Sequence, residues 1–250
     1  WRSPSRITAS AYRRRPRPPR SRSSSGGGAD RRRVATVAAM TLPTPPSLDP
    51  QALRADTPIL GREVHGHPLV YLDHAASAQR PRAVIDAMAR HYERHHANVH
   101  RGAHQLSAEA TDAYEAARTA IAAFLGAPEA RSLVFVRNAT EAINLLARAW
   151  GDTHLGPGDE ILVPVSEHHA NLVPWQMVAE KTGAVLRAFP VDEDGSFNMT
   201  AFTDMITART KIVSVPHVSN VLGTVFPVAE MAKIAHDANA LMVVDGCQGV

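Results

Sequence analysis

The chain has 250 residues, a single cysteine and a net charge of +3. That length suits one large domain or two small ones, no apolar run reaches the roughly 20 residues of a membrane span, and a lone Cys247 excludes an internal disulfide or a multi-cysteine metal cluster. The charge is uneven: residues 1–33 hold 11 Arg against Asp30, which is +10, so the rest carries −7. A mildly acidic body behind a separate basic leader argues against nucleic acid or a membrane surface as partner, and a soluble protein is expected.

Residues 1–39 are rich in Arg, Pro, Ser and Gly, a composition that buries too little surface to offset the entropy of ordering, so a disordered leader is expected there. Met40 is the preferred true start, with the leader as translated upstream sequence. An organellar transit peptide is the alternative, and a nucleic-acid-binding arm is the third reading. Residues 40–68 form an N-terminal arm, and from residue 69 helices alternate with short apolar strands.

Helices are expected over Pro81 to His95 and over Ser107 to Phe124, the latter with Ser107 as N-cap and Gly126 just past its end. A regular series follows: strand Leu133 to Val136, helix Thr140 to Trp150, strand Glu160 to Val163, helix Leu172 to Lys181, strand Val185 to Phe189. It continues with helix Thr200 to Thr207, strand Ile212 to Val215, helix Val228 to Asn239 and strand Leu241 to Val244. Such alternation implies right-handed crossovers and a mainly parallel α/β sheet with both faces covered.

Open α/β sheets bind ligands at the C-terminal ends of their strands, and four such ends here are polar. They carry Arg137 to Glu141, Ser166 to Asn171, Pro216 to Asn220 and Asp245 to Gln248. The turn Asn138-Ala139-Thr140 opens into a helix whose free N–H groups suit a phosphate, although Asn138 or Thr140 as a plain N-cap explains it as well. Asp245 would set a carboxylate at the mouth of a buried strand, where it needs a cationic partner such as a protonated pyridine nitrogen, or else it caps the next loop. Gln248 can donate an amide hydrogen bond to a ring oxygen or be an ordinary loop residue. His168 is suited to stacking on a flat ring or to proton transfer near neutral pH, whereas His169 faces the other way and reads as structural.

Six segments taken together resemble the class V aminotransferases, and within them the SufS-type cysteine desulfurases. They are Tyr71 to Ser77, His100 to His104, Val134 to Glu141, Glu167 to Trp175, His217 to Gly223 and Val244 to Gln248. The double His ending in Pro174-Trp175, with Arg101-Gly102-Ala103-His104, resembles the SufS branch more than the NifS/IscS branch. The resemblance implies a three-layer aminotransferase-type fold (fold type I) and pyridoxal 5′-phosphate as cofactor. It implies Ala139 and Thr140 at the phosphate, His168 on the ring, Asp245 at the ring nitrogen, Gln248 with Asn220 near the ring hydroxyl, and His100 and Arg101 near the substrate or a dimer interface.

The implied reaction takes L-cysteine to L-alanine and passes sulfur as a persulfide to an acceptor of the SufE/SufU kind for iron–sulfur cluster assembly. A homodimer in the bacterial cytoplasm goes with it, or an organelle if the leader is a transit peptide. Lys181, Lys211 and Lys233 sit on helices or at a strand start, so the covalent lysine, the sulfur-accepting cysteine and a substrate-binding arginine are expected downstream of Val250, in a large domain cut short. Cys247, inside a cofactor motif, reads as a small buried packing residue. Rival readings are a selenocysteine lyase, an aminotransferase or an epimerase on the same fold, a metal hydrolase using His91, His95, His100 and His104, and a non-catalytic binding module.

Overall fold

A computed structural model of the chain describes residues 49–250. The leader expected at residues 1–39 and the first part of the arm lie outside the described residues. The arm resolves into helix α1 (Pro50–Asp56), a 3-10 turn (Pro58–Gly61) and a two-residue hairpin, β1 (Glu63–Val64) with β2 (His67–Pro68). Asp49 caps α1 by accepting the Gln51 and Ala52 N–H groups.

Helix α2 (Arg82–Arg90) runs on as a π turn, His91–His95, and α3 (Gln105–Phe124) follows. The expected cap Ser107 is already inside α3; His104 is the N-cap, its Nδ1 accepting the Ser107 N–H. The Ser107 hydroxyl instead donates to the Asn98 carbonyl at 2.7 Å. Helix α4 (Ala139–Leu146) also ends in a π turn, Ala147–Gly151, before the single turn α5 (Asp152–His154).

The remaining chain is β3 (Glu160–Pro164), α6 (His169–Thr182), β4 (Val185–Phe189), α7 (Met199–Met205), β5 (Thr210–Pro216), α8 (Val228–Asp237) and β6 (Leu241–Asp245). These strands form one parallel sheet in the order β4-β3-β5-β6. Side chains alternate across it. Ile161, Val163 and Ile212 face Ile143, Ala147, Trp175 and Val178 of the α4–α6 layer. Leu162, Val213 and Val215 face Phe202, Phe226, Met231 and Ala235 on the other side. This is the expected three-layer α/β arrangement.

Two expectations are corrected. Leu133–Val136 is extended but pairs with no strand among the described residues, and Val134 is 62% exposed. It is held by α3 instead: Arg118 donates to the Leu133 carbonyl and lies over the Phe135 ring, which packs on Tyr114. Strand β6 is not buried either. It is the sheet edge, with Leu241 to Val243 only half-buried and Val244 exposed, because one of its two flanks meets no neighbouring strand among the described residues.

Candidate cofactor site

Parallel strands that stop level with one another present their ends to a common surface. Pro216 of β5 is in register with Asp245 of β6, and the His217 N–H donates to the Asp245 carbonyl at 2.8 Å. Beyond β3, the Val165 N–H bonds the Phe189 carbonyl, extending the pairing with β4 by one step. The residues after β3, β5 and β6 therefore share one edge of the sheet.

After β5 the chain turns back on itself. Val218 bridges Val225, and the buried Ser219 holds the turn by accepting the Val221 and Leu222 N–H groups on its hydroxyl. Asn220 sits half-buried at its tip. After β6 the Asp245 carboxylate accepts the Cys247 N–H at 3.0 Å, so the loop-capping reading is realised while the other carboxylate oxygen keeps its acceptor capacity. Gln248 donates to the Ala75 carbonyl at 3.1 Å and draws the Asp73–Ser77 turn to the same edge. That turn is closed by Tyr71, whose hydroxyl donates to the Ser77 carbonyl at 2.8 Å. Gly249 passes so close to His217 that an added Cβ would lie 2.3 Å from its ring nitrogen; no side chain fits there.

Helix α6 starts three residues earlier than expected, and the reason is a cap. The His168 Nδ1 accepts the Ala170 N–H at 3.0 Å, which leaves Nε2 as the proton-bearing nitrogen of the neutral ring. The ring is exposed. Asn171, in the first turn, is wholly buried: its Oδ1 accepts from the Trp175 indole at 3.1 Å and the Ser214 hydroxyl at 2.6 Å. It thereby ties α6 to the centre of β5.

Asn138 caps α4 by accepting the Glu141 N–H at 2.9 Å, and Glu141 reaches back to the Arg137 N–H at 2.7 Å. The N–H groups of Ala139 and Thr140 have no acceptor among the described residues. They are free donors at the positive end of a helix. Helix α4 and its π turn lie along α6 in the same direction, Asn144 beside Pro174 and Asp152 paired with Lys181, so both amino ends stand at one end of that layer.

His100 and Arg101 are not brought to this edge. His100, at φ 63°, bonds to α3 through Thr111 and Glu115, and Arg101 is exposed beside it. The four histidines of the metal reading separate likewise: His91 lies against Tyr92 and His96, His95 pairs with Glu109, His100 with Glu115, and His104 caps α3. No three His, Cys, Asp or Glu side chains among the described residues are grouped to hold an ion. Lys181 is paired to Asp152, Lys211 begins β5 at the opposite sheet edge, and Lys233 is exposed on α8.

Cys247 is exposed rather than buried. Local desolvation and the adjacent Asp245 carboxylate push its thiol up to about 11, which disfavours the nucleophilic thiolate. Only about 1 in 10,000 such thiols is ionised at pH 7. Alkylation by iodoacetamide should run about a hundredfold slower than for free cysteine, and Cys247→Ser should keep cofactor binding within about threefold.

One residue had no role assigned from the sequence. Glu167 is buried, only 8% exposed, between two strand-end segments. Burial pushes its carboxyl up to about 7 against the pull of the His168 N–H and Asn171, and the Asp245 charge adds to the rise. Its Oε2, the Ser166 hydroxyl and the Asn171 Nδ2 are all buried without partners. An acidic residue in the loop after a strand, followed at once by His168, was the only sequence signal available.

These groups suit pyridoxal phosphate: free N–H donors for a phosphate, a carboxylate for a protonated ring nitrogen, and unpaired buried polar atoms at the same edge. The comparisons agree. Residues 70–250 match the aminotransferase class-V family. A probable cysteine desulfurase of Synechocystis sp. is 56% identical over 196 residues, covering 78% of this chain and 47% of the relative. One from Halobacterium salinarum is 52% identical over 202 residues, covering 80% and 49%. The crystal structure of the cysteine desulfurase CsdA from Escherichia coli superposes with a TM-score of 0.69 at 38% identity, over 81% of this chain and 49% of that one. The apo cysteine desulfurase of Thermococcus onnurineus gives 0.71 at 37%, over 78% and 46%. The chain spans about half the length of the curated relatives it matches. With the fold, the strand-end motifs and a family match over residues 70–250 in agreement, the chain belongs to the aminotransferase class-V family.

Proposed function

We propose that this chain is the cofactor-holding part of a pyridoxal 5′-phosphate-dependent cysteine desulfurase of the SufS type. The observation that carries the reading is Asp245, a carboxylate at the end of β6 in register with the end of β5, beside polar groups that are buried and unpaired. The desulfurase names of relatives about half identical to the chain support it. When bound, pyridoxal phosphate supplies an electron sink for negative charge developing on an amino-acid substrate.

The residues have distinct tasks. The Ala139 and Thr140 N–H groups and the Thr140 hydroxyl bind the phosphate. Asp245 keeps a proton on the ring nitrogen by pairing with it, and Asn220 and Gln248 serve the ring hydroxyl. His168 covers the ring face, and its Nε2–H is the group that can pass a proton to the substrate. His100 and Arg101 act toward the substrate or from a dimer interface. The whole enzyme is proposed to be a homodimer of the bacterial cytoplasm that converts L-cysteine to L-alanine. It hands sulfur as a persulfide to a SufE/SufU-type acceptor for iron–sulfur cluster assembly. The test is to give full-length protein L-cysteine with excess dithiothreitol, which reduces the persulfide and releases its outer sulfur as sulfide, and to follow alanine and sulfide. Equal amounts of both, lost when the cofactor is removed, are expected; turnover of another amino acid with none of cysteine overturns the reading.

A further inference from the structure

Glu167 stands where a charge is hard to keep. It is more than nine-tenths buried, and no lysine or arginine among the described residues pairs with it. Its Oε1 accepts the His168 N–H at 2.8 Å; its Oε2 has no partner within hydrogen-bond distance, and the pull of the nearby Asn171 amide is outweighed by burial. The groups around it are few. From α6 come His168, whose Nδ1 is engaged with the Ala170 N–H, His169, which is exposed, and the neutral Asn171. From β5 comes Ser214, bonded to Asn171, with His217 beyond the strand end, and from β6 the Asp245 carboxylate. The one charge in that set is negative.

A buried carboxyl with no cation beside it ionises only at a cost, set mainly by its own desolvation and increased a little by the Asp245 charge. Asp245 is only half-buried and accepts the Cys247 N–H. Glu167 is deeper and has no cationic partner. We infer that Glu167 is held as a neutral carboxylic acid in the folded protein, which spares the site a second negative charge beside Asp245. Glu167 is thus a positioning residue: it acts through His168, whose turn it anchors, and through Asp245, whose charge it leaves unopposed. Burial lifting its carboxyl to about 7 agrees with this. The consequence for the cofactor rests on the proposed role of Asp245; the protonation does not.

Difference infrared titration of the full-length protein, with Glu167→Gln as blank, reads the proton directly. A carboxylic-acid carbonyl band that disappears between about pH 6 and pH 8 and is missing from the Gln variant is expected; no such band in the wild type overturns the inference. Pyridoxal phosphate binding gives the second readout. Glu167→Gln, a neutral donor of the same shape, should hold affinity within about threefold and lose the pH dependence of the cofactor's absorption near neutrality, whereas Glu167→Leu should weaken binding about tenfold. A Gln variant as weak as Leu shows that the charge is needed and overturns the inference. If the full-length protein binds no pyridoxal phosphate, the cofactor reading falls while the infrared titration still decides the state of Glu167.

Discussion

Asp245→Asn in the full-length protein should lower kcat/KM for the amino-acid substrate by about two to three orders of magnitude, with a smaller loss of cofactor affinity. The size follows from what is removed. An ion pair between a carboxylate and a protonated ring nitrogen in a desolvated site, broken by taking one partner, costs about 3–5 kcal/mol, and 1.4 kcal/mol is tenfold. Asn keeps the Cys247 N–H bond that shapes the loop, because its amide oxygen accepts as the carboxylate does. The loss should therefore appear in the chemistry and not in folding. Steady-state kinetics with a cofactor absorption spectrum check it; an Asn variant within threefold of the wild type removes Asp245 from the site.

The second large effect concerns two buried glutamates, one opening β3 and one in the loop that follows it, which should bias stability in opposite directions as pH changes. Glu160 opens β3 and is nearly inaccessible, 3% exposed. Burial acts to raise its carboxyl, but the Thr207 hydroxyl at 2.7 Å, Arg187 at 2.8 Å and Arg209 at 3.0 Å outweigh that and hold it below its ordinary 4.5. A depressed acid stabilises the fold above its unfolded value and loses that contribution as pH falls through the folded one. Glu167 is the reverse: raised from 4.5 to about 7, it favours the folded state below 4.5 and loses that advantage as pH rises through 7, about 3 kcal/mol in all.

Glu160→Ala should cost about 3 kcal/mol, because it leaves Arg187 and Thr207 without their common acceptor. Glu167→Gln should flatten the neutral limb. Amide hydrogen exchange in β3 and β5, corrected for intrinsic rates, reads both. Unchanged protection in the Ala variant would show that solvent takes over the arginines at no cost.

The series from Glu160 to Val244 was legible because each strand there is a short apolar run closed by Pro or Asp, with a stretch of helix-forming length between one run and the next. The same logic misread Leu133–Val136. Its sequence is that of a strand, but a strand also needs a neighbour, and here the Arg118 guanidinium and Tyr114 of α3 occupy it instead. The start of α6 was missed because His168 serves as a cap through its ring nitrogen, a role rarer than that of Asp, Ser or Asn. Cys247 was read as buried by analogy with its position in a motif, while the open flank of β6 leaves it exposed.

By itself the sequence determined the parallel α/β class, the family and the strand ends that bear polar residues, since these depend on local periodicity and on motifs contiguous in the chain. Only the tertiary structure decided how those residues are charged. Whether Glu160 is an anion and Glu167 an acid depends on burial and on partners up to 78 positions away: Arg187, Thr207 and Arg209 for one, Asp245 for the other. Electrostatic energy is a property of what surrounds a group in space, and the order of residues along a chain does not record it.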